Sequence, residues 1–203
     1  MFGAWILLMN LLGSHAQAED SVFPDCTIPV YVSQASVPLP IFKQYTHSIY
    51  DAAGLWNDVS EDFHFYIKDW NFKSEPAYGT VTVSMTKVQQ LQPNQIALTW
   101  NKQYDTGFSR SRVEVDNTWN YCTPTSDSST CVSMFNVFVH EFGHVLGLDH
   151  SDDPNSVMYS VMPLGPTRKA LTTDDIRAVR ELYQPDGSSC TTTALGTLVW
   201  ALD

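Results

Sequence analysis

Apolar residues recur at helical spacing in the first third of the chain. Five of them lie three or four positions apart and would form one stripe along a helix: Ile41, Tyr45, Ile49, Ala53 and Trp56. The pattern predicts a helix over residues 38–58, with this stripe packed against the rest of the protein.

Shorter stretches have the β-branched composition or the apolar–polar alternation of strands. The predicted strands cover residues 27–32, 63–68, 80–86, 96–102 and 112–117. Two further helices are predicted at 133–146, with Ser133 as the N-cap, and at 172–183. Strands that alternate with one early helix and are followed by helices favour an α/β or α+β sheet with helices packed on it.

The candidate chemistry is concentrated in residues 140–150, which hold three of the six histidines of the chain. His140 and His144 are four residues apart, so on a helix both imidazoles can face one metal ion. Glu141 lies beside the first ligand, where a carboxylate can act as a base without ligating the metal. A catalytic zinc needs a third protein ligand. Gly147 can end the helix in a sharp turn and bring His150 back to the ion.

This stretch, HExxHxxGxxH, resembles the signature of the metzincin metallopeptidases. Ser151, directly after the third histidine, and the segment 171–183 are similar to the matrixin branch of that clan. The resemblance implies a matrixin-like catalytic domain with a twisted, mostly parallel sheet, one antiparallel edge strand, an active-site helix and a C-terminal helix. It also implies a methionine turn beneath the metal, for which Met158 is the candidate and Met162 the alternative.

The edge strand implied by the resemblance is residues 96–101, which would border the cleft. An extended protein or peptide substrate could then pair with its free backbone groups as an added strand. The alternative is an ordinary hairpin strand.

The resulting prediction is a zinc-dependent endopeptidase of the hydrolase class. His140, His144 and His150 would hold one catalytic zinc, which activates a water, and Glu141 would be the general base. One alternative is a catalytically silent binding module with the metzincin fold. Another is a thermolysin-like peptidase in which the distant Glu181 supplies the third ligand.

The composition of the chain limits the classes of molecule that the protein is expected to bind. The net charge of −11 argues against nucleic acid and anionic membrane surfaces, since both require a basic face. Calcium is compatible with the acidic residues, but no EF-hand-like spacing is present. The segments that carry a second, structural zinc in matrixins are missing, so we expect one zinc, and we expect a monomer.

The first 18 residues resemble a secretory signal, because a short apolar run precedes Ala16-Gln17-Ala18, an A-x-A cleavage site. We therefore expect an extracellular or periplasmic protein with a catalytic domain over 19–190 and a short tail over 191–203. Four cysteines in an exported chain predict two disulfides, with three possible pairings. Cys122 and Cys131 flank a Ser/Thr-rich loop and would close it locally; Cys26 and Cys190 would then join the two ends.

Overall fold

The computed structural model describes residues 5–7, 23, 27–35, 37–69, 79–86, 94–104, 107–123, 129–183, 189–192 and 198–201. Within these ranges the strands are β1 (Trp5–Leu7), β2 (Thr27–Val32), β3 (His64–Asp69), β4 (Thr80–Thr86), β5 (Ala97–Tyr104), β6 (Gly107–Asp116), β7 (Val161–Pro163), β8 (Ser189–Thr192) and β9 (Leu198–Ala201). The helices are α1 (Phe42–Asn57), α2 (Met134–Val145) and α3 (Thr173–Tyr183), and a 3-10 turn at Leu39–Ile41 leads into α1.

Five strands form the main sheet in the order β3-β2-β4-β6-β5. The pairs β2–β3, β2–β4 and β4–β6 are parallel, whereas β5 runs antiparallel to β6 at the edge. This is the predicted fold class, and it is confirmed. The arrangement leaves β5 as the border of the sheet nearest to α2, and its side chains contact that helix.

The stripe on α1 is buried as predicted and packs against α2. The Trp56 indole donates a hydrogen bond to the Val139 carbonyl at 2.9 Å, and the Tyr45 and Phe138 rings meet edge to face with centroids 5.5 Å apart. One turn after Phe138, α2 also meets the sheet, where Phe142 stacks on Phe65 of β3. Full burial of a large apolar side chain contributes about 1.5–3 kcal/mol. These contacts therefore anchor α2 along most of its length.

Several element boundaries differ from the sequence predictions. The first helix was predicted from residue 38, but residues 39–41 form a 3-10 turn with a proline in its first positions. Strand β6 begins five residues earlier than the predicted 112, at Gly107. Its first residues are mostly polar and carry no strand pattern, and they extend because β5 pairs along them. Strand β7 and its pairing with β1 had no sequence signal.

The predicted local disulfide is confirmed: Cys122 and Cys131 are bonded, with an S–S distance of 2.09 Å. The pairing predicted for Cys26 and Cys190 lies outside the described side chains. Most of the predicted signal segment also lies outside the described residues, apart from β1. In the predicted tail region, β9 pairs antiparallel with β8. The described helices include none with the length and apolar character needed to cross a membrane.

Candidate metal centre

Helix α2 carries two of the candidate ligands into the interior. The Ser133 hydroxyl caps its first turn by accepting a hydrogen bond from the Asn136 amide. A helix that is apolar nearly all round must be buried, and α2 accordingly exposes only 1% of His140 and 2% of Glu141. Burial fixes the direction of both side chains before any ligand binds.

Gly147 ends α2 and turns the chain back toward the site. Its φ of 95° lies in the left-handed region that favours glycine. The amides of Gly147 and Leu148 donate to the carbonyls of His144 and Gly143 at 3.0 Å, which closes the helix end. The reversal brings His150 beside His144, as the sequence predicted.

The three imidazoles converge through their Nε2 atoms. His144 Nε2 lies 3.1 Å from His140 Nε2 and 3.3 Å from His150 Nε2. One ligand atom from each of the three residues lies within 4.8 Å of the other two. Zinc–nitrogen bonds of about 2.0–2.1 Å at tetrahedral angles would place ligand atoms about 3.3–3.4 Å apart. The spacing of the histidines therefore fits one zinc ion.

The outer nitrogens of two rings are held by backbone carbonyls. His140 Nδ1 lies 2.8 Å from the Val157 oxygen, and His144 Nδ1 lies 2.8 Å from the Leu148 oxygen. A carbonyl can only accept, so both Nδ1 atoms carry the proton and each Nε2 presents its lone pair to the centre. This tautomer is the one a metal ion requires.

The electrostatics keep these rings neutral. Burial lowers the pKa of His140 well below its ordinary value, and the neighbouring His144 lowers it further. Burial also lowers the pKa of His144 to about 4, with a smaller contribution from His150. His150 is the most accessible of the three, and burial lowers its pKa as well. Neutral imidazoles at pH 7 are competent ligands without first losing a proton.

Glu141 lies one residue from the first ligand and is buried with it. The Thr99 hydroxyl of β5 donates a hydrogen bond to its Oε2 at 2.5 Å. Burial raises the pKa of this carboxyl to about 7, and the hydrogen bond from Thr99 partly offsets the effect. A carboxyl with a pKa near neutrality is suited to taking up and returning a proton.

Met158 packs against α2 at Gly143, between the first two histidines in sequence. A Cβ added at Gly143 would collide with the Met158 sulfur and come within 3.2 Å of the Trp56 ring. Gly143 therefore makes room for the methionine, which is 2% exposed. Met162 is also buried, but it lies in β7. The position of Met158 agrees with the methionine turn expected from the resemblance.

Sequence reasoning missed the residues that hold the turn before Met158. The buried Asp175 carboxylate of α3 accepts hydrogen bonds from the Ser156 hydroxyl at 2.5 Å and the Val157 amide at 3.2 Å. The Lys169 ammonium donates to the carbonyls of Pro154 and Ser156 at 3.0 and 2.7 Å. These contacts fix the segment that presents the Val157 oxygen to His140. Asp175 had one sequence signal, its position in the first turn of a predicted helix.

The alternative third ligand, Glu181, is directed elsewhere. Its carboxylate lies 3.7 Å from the Arg177 guanidinium, and its side chain is 70% exposed. In the described part of the chain, the possible metal ligands that lie close to His140 and His144 include His150 but not Glu181. The geometry thus favours His150 over Glu181.

Comparison with known families agrees with this geometry. The sequence profile described as Matrixin matches residues 43–184, well over half of the chain. This chain belongs to the matrixin family. The match includes α1, the main sheet from β3 onward, the three histidines and α3. Matrixins are zinc metalloendopeptidases at the family level.

Two curated relatives of this matrixin are the 72 kDa type IV collagenase of Gallus gallus, 36% identical over 76 residues, and matrix metalloproteinase-9 of Canis lupus familiaris, 39% identical over 77 residues. Each alignment covers 37% of this chain. The aligned part amounts to 11% and 10% of the two relatives, so the matrixin spans about a tenth of their length.

Proposed function

We propose that this matrixin is a zinc-dependent endopeptidase in which His140, His144 and His150 hold one metal ion and Glu141 is the general base. The observation that carries the proposal is the convergence of three Nε2 atoms, at 3.1 and 3.3 Å, beside a buried carboxylate. Ordinary packing of histidines would not require all three Nε2 atoms to face one point.

The chain's own residues supply the proton transfers and the rigid frame. Bound zinc would lower the pKa of a coordinated water and polarise the carbonyl of the scissile bond. Glu141 would take the proton of the attacking water and then deliver it to the leaving amine. The carbonyls of Val157 and Leu148 hold the rings of His140 and His144 in the required tautomer throughout.

The proposed substrate is an extended polypeptide that pairs with β5. The Asp116 amide donates to the Ile96 carbonyl at 2.9 Å, which makes this opposite pair a hydrogen-bonded one. Along an antiparallel strand, residues that are hydrogen-bonded to the partner strand alternate with residues that are not. Because Ile96 is hydrogen-bonded to β6, the backbone groups of Ala97 and Thr99 face away from β6. Within the described residues β6 is the partner of β5 in the sheet. Such an edge binds main chain rather than a particular side-chain sequence.

We also propose that the protein is exported and acts as a monomer, with residues 1–18 as the signal and 19–190 as the catalytic domain. The Cys122–Cys131 disulfide supports export, because disulfides persist in oxidising compartments. The acidic net charge of −11 supports a protein or peptide substrate over nucleic acid or an anionic membrane.

A fluorogenic peptide assay tests the proposal. We expect the purified protein to cleave an unstructured peptide, a chelator to abolish cleavage, and added zinc to restore it. Glu141→Ala should retain zinc and the fold but lose several orders of magnitude in kcat, whereas Glu181→Ala should behave like the wild type. A protein that binds zinc and peptide without cleaving any peptide would instead be the silent binding module.

A further inference from the structure

We propose that Thr99 is a positioning residue for the general base: its hydroxyl holds the Glu141 carboxylate in the orientation needed for proton transfer. The inference rests on the proposed function of Glu141. It adds a residue from the edge strand to a site otherwise built from α2 and the loop that follows.

The contact is short and enclosed. Thr99 Oγ1 lies 2.5 Å from Glu141 Oε2 and 3.3 Å from the Glu141 backbone oxygen. A hydroxyl has one proton to donate, and the shorter contact directs it to the carboxylate. Glu141 is 2% exposed, so bulk water has little access to replace this donor. Hydrogen bonds to a charged acceptor in such surroundings are among the stronger ones in proteins.

The position of Thr99 follows from the alternation of β5. Every second side chain of the strand faces α2, which places Thr99 over Glu141 and Asn101 over the end of the helix. The Asn101 amide donates to the His144 carbonyl at 2.9 Å, and the Ser111 hydroxyl orients the Asn101 oxygen at 2.6 Å. These contacts brace the strand against α2 next to the three histidines.

Threonine suits this role better than serine or valine would. Its β-branched side chain has few allowed χ1 rotamers, so the direction of the hydroxyl is fixed by the strand backbone. Valine has nearly the same shape but no donor, and serine keeps the donor but loses the methyl group. The two substitutions therefore separate the hydrogen bond from packing.

Loss of the donor should affect the chemical step. A general base must lie about 2.6–3.2 Å from the atom whose proton it removes, and a displacement of about 1 Å can reduce the rate about a hundredfold. We expect Thr99→Val to lower kcat about tenfold to a hundredfold, with KM changed less than about twofold. Thr99→Ser should recover most of the lost kcat.

Thr46→Val is the matched control, because it removes a threonine hydroxyl that donates to the backbone of α1 instead. It should leave kcat and KM at wild-type values. Thr99→Ala removes the hydroxyl in a second way in case Thr99→Val does not fold. Wild-type kcat in the Thr99→Val or Thr99→Ala protein would overturn the inference, as would an equal loss in Thr99→Val and Thr99→Ser.

A double-mutant cycle gives a readout that does not depend on activity. In the metal-free protein we expect Thr99→Val to lower Tm in the wild type but to have a much smaller effect in the Glu141→Ala background. Additive Tm changes would overturn the inference, because independent sites add and contacting sites do not. A wild-type protein without peptidase activity would refute the proposed function, while the cycle would still decide whether Thr99 holds Glu141.

Discussion

Removing the Asp175 carboxylate should weaken both the fold and the metal site. Besides Ser156 and Val157, the carboxylate accepts hydrogen bonds from the amide and hydroxyl of Thr172, both at 2.8 Å. The Asp175 amide donates back to the Thr172 hydroxyl at 3.1 Å, which completes a capping box at the start of α3. One side chain thus joins α3 to the turn that holds the ring of His140.

The expected loss of stability follows from the hydrogen-bond donors that are left without an acceptor. Asp175→Ala leaves the Ser156 hydroxyl and the Val157 amide, both buried, without their acceptor. Each such loss costs about 1–3 kcal/mol, and the lost cap costs about 1 kcal/mol more. We expect the free energy of unfolding to fall by about 4 kcal/mol, which at a urea m-value of about 2–3 kcal/mol/M moves the midpoint by about 1.3–2 M.

The assay is urea unfolding of the metal-free protein, followed by tryptophan fluorescence, with zinc affinity measured by competition with a chelating dye. Zinc affinity should fall about tenfold to a hundredfold, as for other outer contacts to metal ligands. Asp174→Ala is the control, since Asp174 is 66% exposed and pairs with Arg177 on the surface; its cost should stay below about 1 kcal/mol. Equal costs for the two substitutions would refute this reasoning.

Three further predictions concern the same region. Gly143→Ala should lower stability by about 1–3 kcal/mol, because the added methyl group must displace the buried Met158; an unchanged Tm would show that the methionine moves aside freely. The pKa of Glu141 is raised from 4.5 to about 7 in the folded protein, so between these values the folded state binds the extra proton and its stability falls as pH rises. Relative to Glu141→Gln, the metal-free wild type should therefore lose about 3 kcal/mol of stability between about pH 4 and pH 8. A constant difference in urea unfolding between the two proteins would contradict the burial argument. Ala97→Pro should raise KM for long peptides without changing zinc content, because it removes an outward N–H of β5. Leu98→Pro should instead lower stability, because the N–H of Leu98 faces β6. Equal kinetics for Ala97→Pro and the wild type would argue against pairing of the substrate with β5.

Sequence patterns were most informative where the determining contacts are local. The α1 stripe predicted burial because a helix repeats within a few residues, and every residue of that stripe is buried. The i,i+4 histidines and the glycine turn were predictable for the same reason. The start of β6 was not, since its first residues, which are mostly polar, become strand through pairing with β5 rather than through their own pattern.

The supporting residues of the site depend on tertiary structure. Thr99 and Glu141 are 42 residues apart, and Ser156 and Asp175 are 19 apart. No local spacing rule relates such pairs, so their hydrogen bonds become evident only once β5 and α3 are packed. The resemblance to matrixins supplied the overall topology and the position of Met158, but it did not identify Thr99 as a partner of the carboxylate.

The coordination of the bound metal tests the central claim most directly. Metal analysis of the purified protein should give one zinc per chain, and X-ray absorption at the zinc edge should show three imidazole nitrogens at about 2.0–2.1 Å and one further light atom. His150→Ala should reduce the imidazole count to two, whereas Glu181→Ala should leave the spectrum unchanged. A wild-type spectrum with two imidazoles and a protein carboxylate, or with sulfur ligands, would contradict the account.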